Sequence, residues 1–433
     1  MKNSEPHILV VNIFFAPYTY GGATIVAEEV ARGLQKRHGW QISVLSAVSR
    51  MDLPPYAIRK IQSGEIPNYV INLPPARPFA QMYSNPQVTE ATSRLIQALS
   101  PDLLHLHCIQ ELGTGVIRAA RQEGLPVVVS AHDYWWICER QFMIRADGRY
   151  CGQDPVKIEG CRSCVLDLAQ SRTRMLQLRQ ASEEVDLMTY PSEYARDLCQ
   201  RSGLQPKSDA VWQNGVTQPG TDFAIAQAER RRKSPRLVFG YCGGPSDIKG
   251  WPLIRKAFES LDRSDFEVLL ADGSMEGNWW SDVDFSTLPG KWRTHPRYSQ
   301  AEMDGFWIQV DVLLFPSQWK ETFGLTIREA LARGIRVIQT DSGGTVEHGG
   351  PDRARAIPIG ADAETLRNEI RHALTRPDRY AQPIPIADFV TQTDEFVELV
   401  SPLFSKRVPG SAGPVRISRP DLPNLQQVAA RTA

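Results

Sequence analysis

From Met1 to about Asn214, short apolar runs alternate with segments whose apolar residues recur at helical spacing. HILVVNIFF leads through the loop APYTYGG into Thr24–Arg37, where Ala27, Val30, Ala31 and Leu34 fill an i, i+3, i+4, i+7 stripe. QISVLSA, DLLHLHC, PVVVSAHD and DLMTYPS continue the strand series, and helical periodicity returns over Val88–Leu99, Gly115–Gln122 and Glu193–Arg201. Strands separated by single helices predict a parallel, doubly wound α/β sheet over residues 1–214. The pattern lapses over residues 215–235, through GVTQPG and the charged AERRRKSP, which reads as a linker. It restarts at RLVFGYCGG, with a helix over Trp251–Leu261 and further strands FEVLLA, DVLLFPS and IRVIQTD. The last two bracket a helix over Leu325–Arg333, ended by Gly334. A second α/β domain over residues 236–390 follows, with no sequence repeat between the two. Residues 405–433 hold four prolines, five basic residues and one acidic residue without periodicity, and read as a mobile tail.

Composition narrows the function classes. In 433 residues, 49 Lys+Arg balance 49 Asp+Glu, which argues against nucleic acid as partner through a broad basic surface. Any anionic ligand must then be held locally. Seven cysteines in a chain this long do not make a disulfide scaffold, and the odd number fits a reduced, cytoplasmic setting. No uncharged apolar run approaches the ~18–20 residues of a membrane span. Ile8–Ala16 is preceded by Glu5 and Pro6 and interrupted by Asn12, so it reads as a buried strand rather than a signal-peptide core.

In open α/β sheets ligands bind beyond the carboxyl ends of the strands, so three loops draw the chemistry. Gly21 and Gly22, after the first strand, either let backbone N–H groups approach a ligand at a helix N-terminus or simply make a tight turn. Gly243-Gly244-Pro245-Ser246-Asp247-Ile248-Lys249-Gly250 places a lysine at the mouth of a helix, a diphosphate clamp or a solvated loop charge. Its spacing is not that of a Walker loop. In WKETFGLTIREALARG, Glu321 and Glu329 are eight positions apart, Glu321 on the loop and Glu329 in the first helical turn. Thr326-Ile327-Arg328-Glu329 also has the form of a capping box, which would give Glu329 a purely structural task. Gly113-Thr114-Gly115 begins a dinucleotide fingerprint, but Arg118 replaces its third glycine, and a nicotinamide or flavin enzyme is not indicated.

In order along the chain, the Gly-Gly loop, HLHCIQE, SAHDYWWICER, TYPSEYAR, QNGV, the GG-to-KG loop, DVLLFPSQWKETFGLTIREALARG and DSGGTVE resemble the retaining glycosyltransferases of family 4. The resemblance extends to about residue 404 and implies the GT-B fold, two Rossmann-like domains facing across a cleft. It implies a nucleotide-diphosphate sugar donor, with Gly22, Gly243, Lys249, Phe323, Gly324, Leu325 and Glu329 on the donor side. Lys249 is similar to the diphosphate-binding lysine, Glu329 to the ribose-binding carboxylate, and Glu321 to the residue on the sugar hydroxyls. Phe323, Gly324 and Leu325 would bring backbone N–H groups to the sugar and phosphates. His107 matches the family histidine near the reacting carbon, and His132-Asp133 resembles its His-Asp pair on the acceptor side, where Gly21 also falls; each histidine closes an apolar run and could instead simply hydrogen-bond to a neighbouring loop. His105 reads as support. Gly244 stands where the family often has a second phosphate-binding arginine. The implied activity is transfer with retention of configuration to a saccharide or lipid-linked saccharide, with no cofactor required and a setting in surface-polysaccharide synthesis. The helix over Thr391–Phe404 would return to the first domain. An epimerase of the same fold and a non-catalytic carbohydrate-binding scaffold are the competing readings.

An insertion over residues 134–165 holds Cys138, Cys151, Cys161 and Cys164 in a C-x12-C-x9-C-x2-C arrangement. These four could bind a structural zinc ion, remain free thiols or form two disulfides. Tyr134, Trp135 and Trp136 read as packing for the insertion, with stacking on a sugar as the other option. Arg172, Arg174, Arg179 and the basic tail offer a peripheral contact to an anionic membrane.

Overall fold

A computed structural model describes residues 5–274, 278–350, 355–376 and 380–404, so the tail over 405–433 lies outside the described residues. The first sheet contains β1 (His7–Val11), β2 (Gln41–Val48), β3 (Ile58–Ser63), β4 (Ile66–Asn72), β5 (Leu103–Leu106), β6 (Val127–Ser130), β7 (Leu187–Tyr190) and β8 (Asp209–Val211). Its order is β3-β4-β2-β1-β5-β6-β7-β8. Every neighbouring pair is parallel except β3–β4, a hairpin that the strand–helix pattern did not anticipate. Helices α1 (Gly22–His38), α2 (Pro86–Leu99), α3 (Gly115–Gln122), α4 (Leu168–Glu183) and α5 (Glu193–Arg201) belong to this domain. Both faces of β1 are covered, Leu9 and Val11 packing into one core and Ile8 and Val10 into the other. That is why the strand reads as an unbroken apolar run.

The stretch expected as a linker contains helix α6 (Phe223–Lys233). Its charge suggested a solvated connection, but Arg230 bonds both oxygens of Asp311, at 2.9 and 2.6 Å, and Arg231 adds a contact at 2.9 Å. Asp311 is wholly buried, so these arginines answer a charge that the sequence places 80 residues away. Phe223 meanwhile joins the second domain's core.

The second sheet has β9 (Leu237–Tyr241), β10 (Phe266–Ala271), β11 (Lys291–His295), β12 (Val312–Phe315) and β13 (Arg336–Gln339) in the order β11-β10-β9-β12-β13, all parallel. Helices α7 (Trp251–Glu259), α8 (Met303–Trp307), α9 (Leu325–Ala332) and α10 (Ala363–Thr375) accompany it. The last helix, α11 (Phe389–Phe404), packs on the first domain. Arg37 of α1 makes two bonds of 2.7 Å to Asp394, Trp212 donates its indole N–H to the Gln392 carbonyl, and Phe396 is fully buried in the core that contains β1.

Candidate functional site

In each sheet the strand order reverses beside its first strand: β2 and β5 flank β1, and β10 and β12 flank β9. Helices leaving opposite faces at such a reversal open a crevice. The loops after β1, β5, β9 and β12 hold most of the residues singled out by sequence. Gly21 lies at the N-terminal cap of α1, and a Cβ on Gly22 would come within 2.9 Å of Leu325 of the other domain.

His107 follows β5, and its Nδ1 lies 2.8 Å from Nε2 of His132 beyond β6. Burial presses both imidazoles toward the neutral form, His132 down to about 4 and His107 well below its ordinary value. One ring therefore donates to the other, and the buried Nε2 of His107 has no hydrogen-bond partner among the described residues. His105 bonds Ser130 at 2.8 Å and stacks on Phe396 at 4.4 Å, a supporting position. The Asp133 carboxylate is occupied by Gln110, Gln141 and the Trp135 N–H at 2.6–2.8 Å, so it organises its loop and has little left for an acceptor.

Tyr134, Trp135 and Trp136 are buried and pack the insertion. The arginines considered for a membrane are engaged within the protein: Arg174 is buried and donates to the Trp135 carbonyl, Arg179 donates to the Ser202 carbonyl, and Arg172 pairs with Glu159. Cys138, Cys151, Cys161 and Cys164 line one small void and are not disulfide-bonded.

In the second domain, Tyr241 fastens the phosphate-loop candidate by donating to the carbonyls of Gly244 and Lys249 at 3.0 and 3.2 Å. A Cβ on Gly243 would come within 2.3 Å of the same hydroxyl. Lys249 Nζ lies 2.7 Å from Glu321 Oε1, which also accepts the Ser317 hydroxyl at 2.9 Å. Two residues 72 positions apart thus become one ion pair at the mouth of α9. Gly324, at φ 83°, starts that helix without any capping side chain, and while Ile327 N–H turns back to the Gly324 carbonyl, those of Leu325 and Thr326 before it are left for an anion. Phe323 is buried under the Arg328 guanidinium, and Leu325 packs against the first domain's core. Where the family often has an arginine, a Cβ on Gly244 would strike the ring of Trp279 at 2.8 Å.

Because α9 starts at Leu325, with Gly324 as its cap, Thr326 cannot be a capping residue, and Glu329 falls in the second turn. The capping-box reading is therefore corrected. Burial raises the Glu329 carboxyl to about 7, against a smaller opposing pull from Arg333. Near it lie Cys242 and Tyr298, at the start of the glycine loop and beyond β11.

Sequence reasoning missed the groups that join the two halves. Thr322, between Glu321 and Phe323, donates to the His132 carbonyl at 2.6 Å and accepts from Ser192 on its own carbonyl at 2.6 Å. Glu347 accepts the N–H groups of Glu193 and Tyr194 at 2.9 and 2.7 Å, capping α5 from the opposite domain. Gly344 closes so tightly that a Cβ there would lie 2.1 Å from the Thr322 carbonyl. These residues lie in the motifs TYPSEYAR, WKETFG and DSGGTVE, which do not name one another as partners.

Residues 20–218 match the model of Glycosyltransferase Family 4, and residues 223–388 match that of Glycosyl transferases group 1. No curated protein matches by sequence. Among solved structures, sucrose-phosphate synthase from Thermosynechococcus elongatus is similar at 15% identity, with 93% of this chain and 100% of that one covered and a TM-score of 0.68. The Anabaena protein HepE, in complex with UDP and glucose, shares 16% identity over 91% and 99% of the two chains, with a TM-score of 0.60. The catalytic domain of starch synthase IV from Arabidopsis thaliana, bound to ADP and acarbose, shares 14% over 93% and 100%, with a TM-score of 0.58. With two glycosyltransferase models tiling residues 20–388 and two Rossmann-like sheets meeting at their switch points, the chain belongs to the glycosyltransferases of the GT-B fold.

Proposed function

We propose that the protein transfers a sugar from a nucleotide-diphosphate sugar to a saccharide or lipid-linked saccharide acceptor, retaining the anomeric configuration. The observation that carries this reading is the meeting of Lys249, Glu321 and the uncapped start of α9 with the His107–His132 pair, through the Thr322 bond to the His132 carbonyl. Lys249 and the α9 N–H groups would meet the charge that grows on the departing diphosphate. Glu321 would position sugar hydroxyls, and Glu329 would take those of the ribose. The histidines are neutral and buried, so they serve as hydrogen-bonding groups for substrate rather than as fixed charges. Proton acceptance then falls to the leaving diphosphate, on the face from which the acceptor attacks, which gives retention. Domain contacts through Thr322, Ser192 and Glu347 exclude water from that step and protect the donor from hydrolysis.

HepE with UDP and starch synthase IV with ADP support a nucleotide donor without choosing its base. Thermal-shift screening against UDP-, GDP-, ADP- and TDP-sugars comes first, followed by turnover with acceptors and assignment of the product anomer by NMR. The expected result is stabilisation by one nucleotide family and a product that keeps the donor's configuration. Inversion would overturn the mechanism, isomerised donor without acceptor would favour an epimerase, and binding without turnover would favour a scaffold.

A further inference from the structure

The insertion over residues 134–165 is built almost without regular structure: a single 3-10 turn, Ile158–Cys161, and one isolated bridge, Ile144 to Tyr150. Chain of this kind needs another source of rigidity. It nevertheless carries out a demanding placement. Its Tyr134 and Phe142 rings meet Trp319 of the second domain edge-on, at 6.3 and 5.1 Å between centroids. Trp319 in turn lies 5.4 Å from the Lys249 ammonium and two residues before Glu321. The insertion therefore braces the wall of the cleft beside the Lys249–Glu321 pair.

At its centre, Cys138, Cys151, Cys161 and Cys164 line a void of about 20 Å³, together with Met143, Ile144, Val156 and Val165. A void of that size holds one water-sized sphere. Gln153 directs its side-chain N–H at Cys161 Sγ, 3.6 Å away. Donors turned toward sulfur stabilise the charged ligand form and orient it. Arg140 and Glu139 both line the same void.

We propose that these four cysteines bind one zinc ion, and that the ion holds the insertion against Trp319. Four thiolates are a soft, closed tetrahedral set with no position left for water, the pattern of a structural rather than catalytic site. Among the described residues no three such side chains already stand close enough about one point to hold an ion, so binding draws the sulfurs inward into the void. The step balances as four thiols and Zn²⁺ giving one tetrathiolate centre of charge −2 and four protons. Two disulfides would be the oxidised alternative, and the two outcomes separate cleanly.

The test uses the full chain, purified without a histidine tag and under reducing conditions. Elemental analysis is expected to give one zinc per chain, and the Cys161→Ser/Cys164→Ser double variant less than a tenth of that. Cys199→Ala, outside the cluster, is expected to keep one zinc and serves as the control for folding. Titrating the wild type with a mercurial should release the zinc, with a metal-sensitive dye as readout, and should lower the melting temperature. Metal-free wild-type protein with four reactive thiols in the cluster, or with two disulfides there by mass spectrometry, would overturn the proposal whatever the fate of the variants.

Discussion

Glu329 offers the sharpest test of the proposed donor site, because one substitution should move stability and nucleotide affinity in opposite directions. An ordinary glutamate titrates near 4.5, whereas burial on α9 raises this one to about 7. The gap corresponds to roughly 3 kcal/mol at most, since each unit is about 1.4 kcal/mol and part of the side chain still reaches solvent. The native carboxyl holds its proton more tightly than the unfolded one. Its contribution is therefore fully present below about pH 4.5 and is lost as the pH rises through 7. Glu329→Gln removes that titration: the variant should differ from wild type by less than about 1 kcal/mol at pH 5 and be more stable at pH 8, by up to about 3 kcal/mol. Nucleotide affinity should move the other way. Ribose hydroxyls donating to an ionised carboxylate contribute about 1.5–3 kcal/mol, so the variant should bind nucleotide roughly 10- to 150-fold more weakly at pH 8. Wild-type affinity should rise from pH 6 to 8, while the variant's stays flat. Denaturant melts at pH 5 and 8 and calorimetric titration with the nucleotide found by screening measure both. Equal nucleotide affinity in the two proteins, with no pH slope in the wild type, would refute the ribose role.

Other consequences follow from the same geometry. Lys249→Ala should lower turnover about 100- to 1000-fold, as loss of a group meeting transition-state charge does, with normal circular dichroism; near-normal kinetics would remove it from the site. Gly324→Ala forces a side chain into φ 83° with its Cβ 2.9 Å from Thr345 and should cost about 1–2 kcal/mol in a denaturant melt, while slowing transfer by misplacing the start of α9. Since burial lowers His132 to about 4 and holds His107 well below its ordinary value, the pH–rate profile should show no inflection from this pair between pH 5.5 and 8, and His132→Gln should leave the shape of that profile unchanged. Thr322→Val deletes the bond to the His132 carbonyl, worth about 1 kcal/mol, and should raise donor hydrolysis relative to transfer in an assay of released nucleotide.

Much of this molecule follows from local rules. The apolar runs of β1, β5, β6 and β9 are long enough for strands and apolar on both faces, so a covered parallel sheet was legible before any contact was known. Gly115–Gln122 and Glu193–Arg201 end where periodicity ends, because their boundaries are set by neighbours in sequence. Lys249 and Glu321 stood out as charges in loops beyond strand ends, and Glu329 by its place in the motif that follows, though the structure moves it from the first helical turn to the second. The AERRRK helix did not stand out, since its charges make sense only opposite the buried Asp311. Nor did the β3–β4 hairpin, an edge feature outside the strand–helix rhythm.

What the sequence by itself determined was the alphabet of the site: two α/β units, glycine turns at their strand ends, a lysine, two glutamates, a histidine pair and four clustered cysteines. Tertiary structure decided which of them meet. Lys249 reaches Glu321 because β9 and β12 are neighbours in the sheet though far apart in the chain. His132 is tied to the Glu321 loop because Thr322 donates to its carbonyl, and Glu329 is a buried carboxyl rather than part of a capping box because the helix starts at Leu325, with Gly324 as its cap. Periodicity and turn chemistry act over a few residues, whereas desolvation, ion pairing and hydrogen bonding depend on distances that only the folded chain sets.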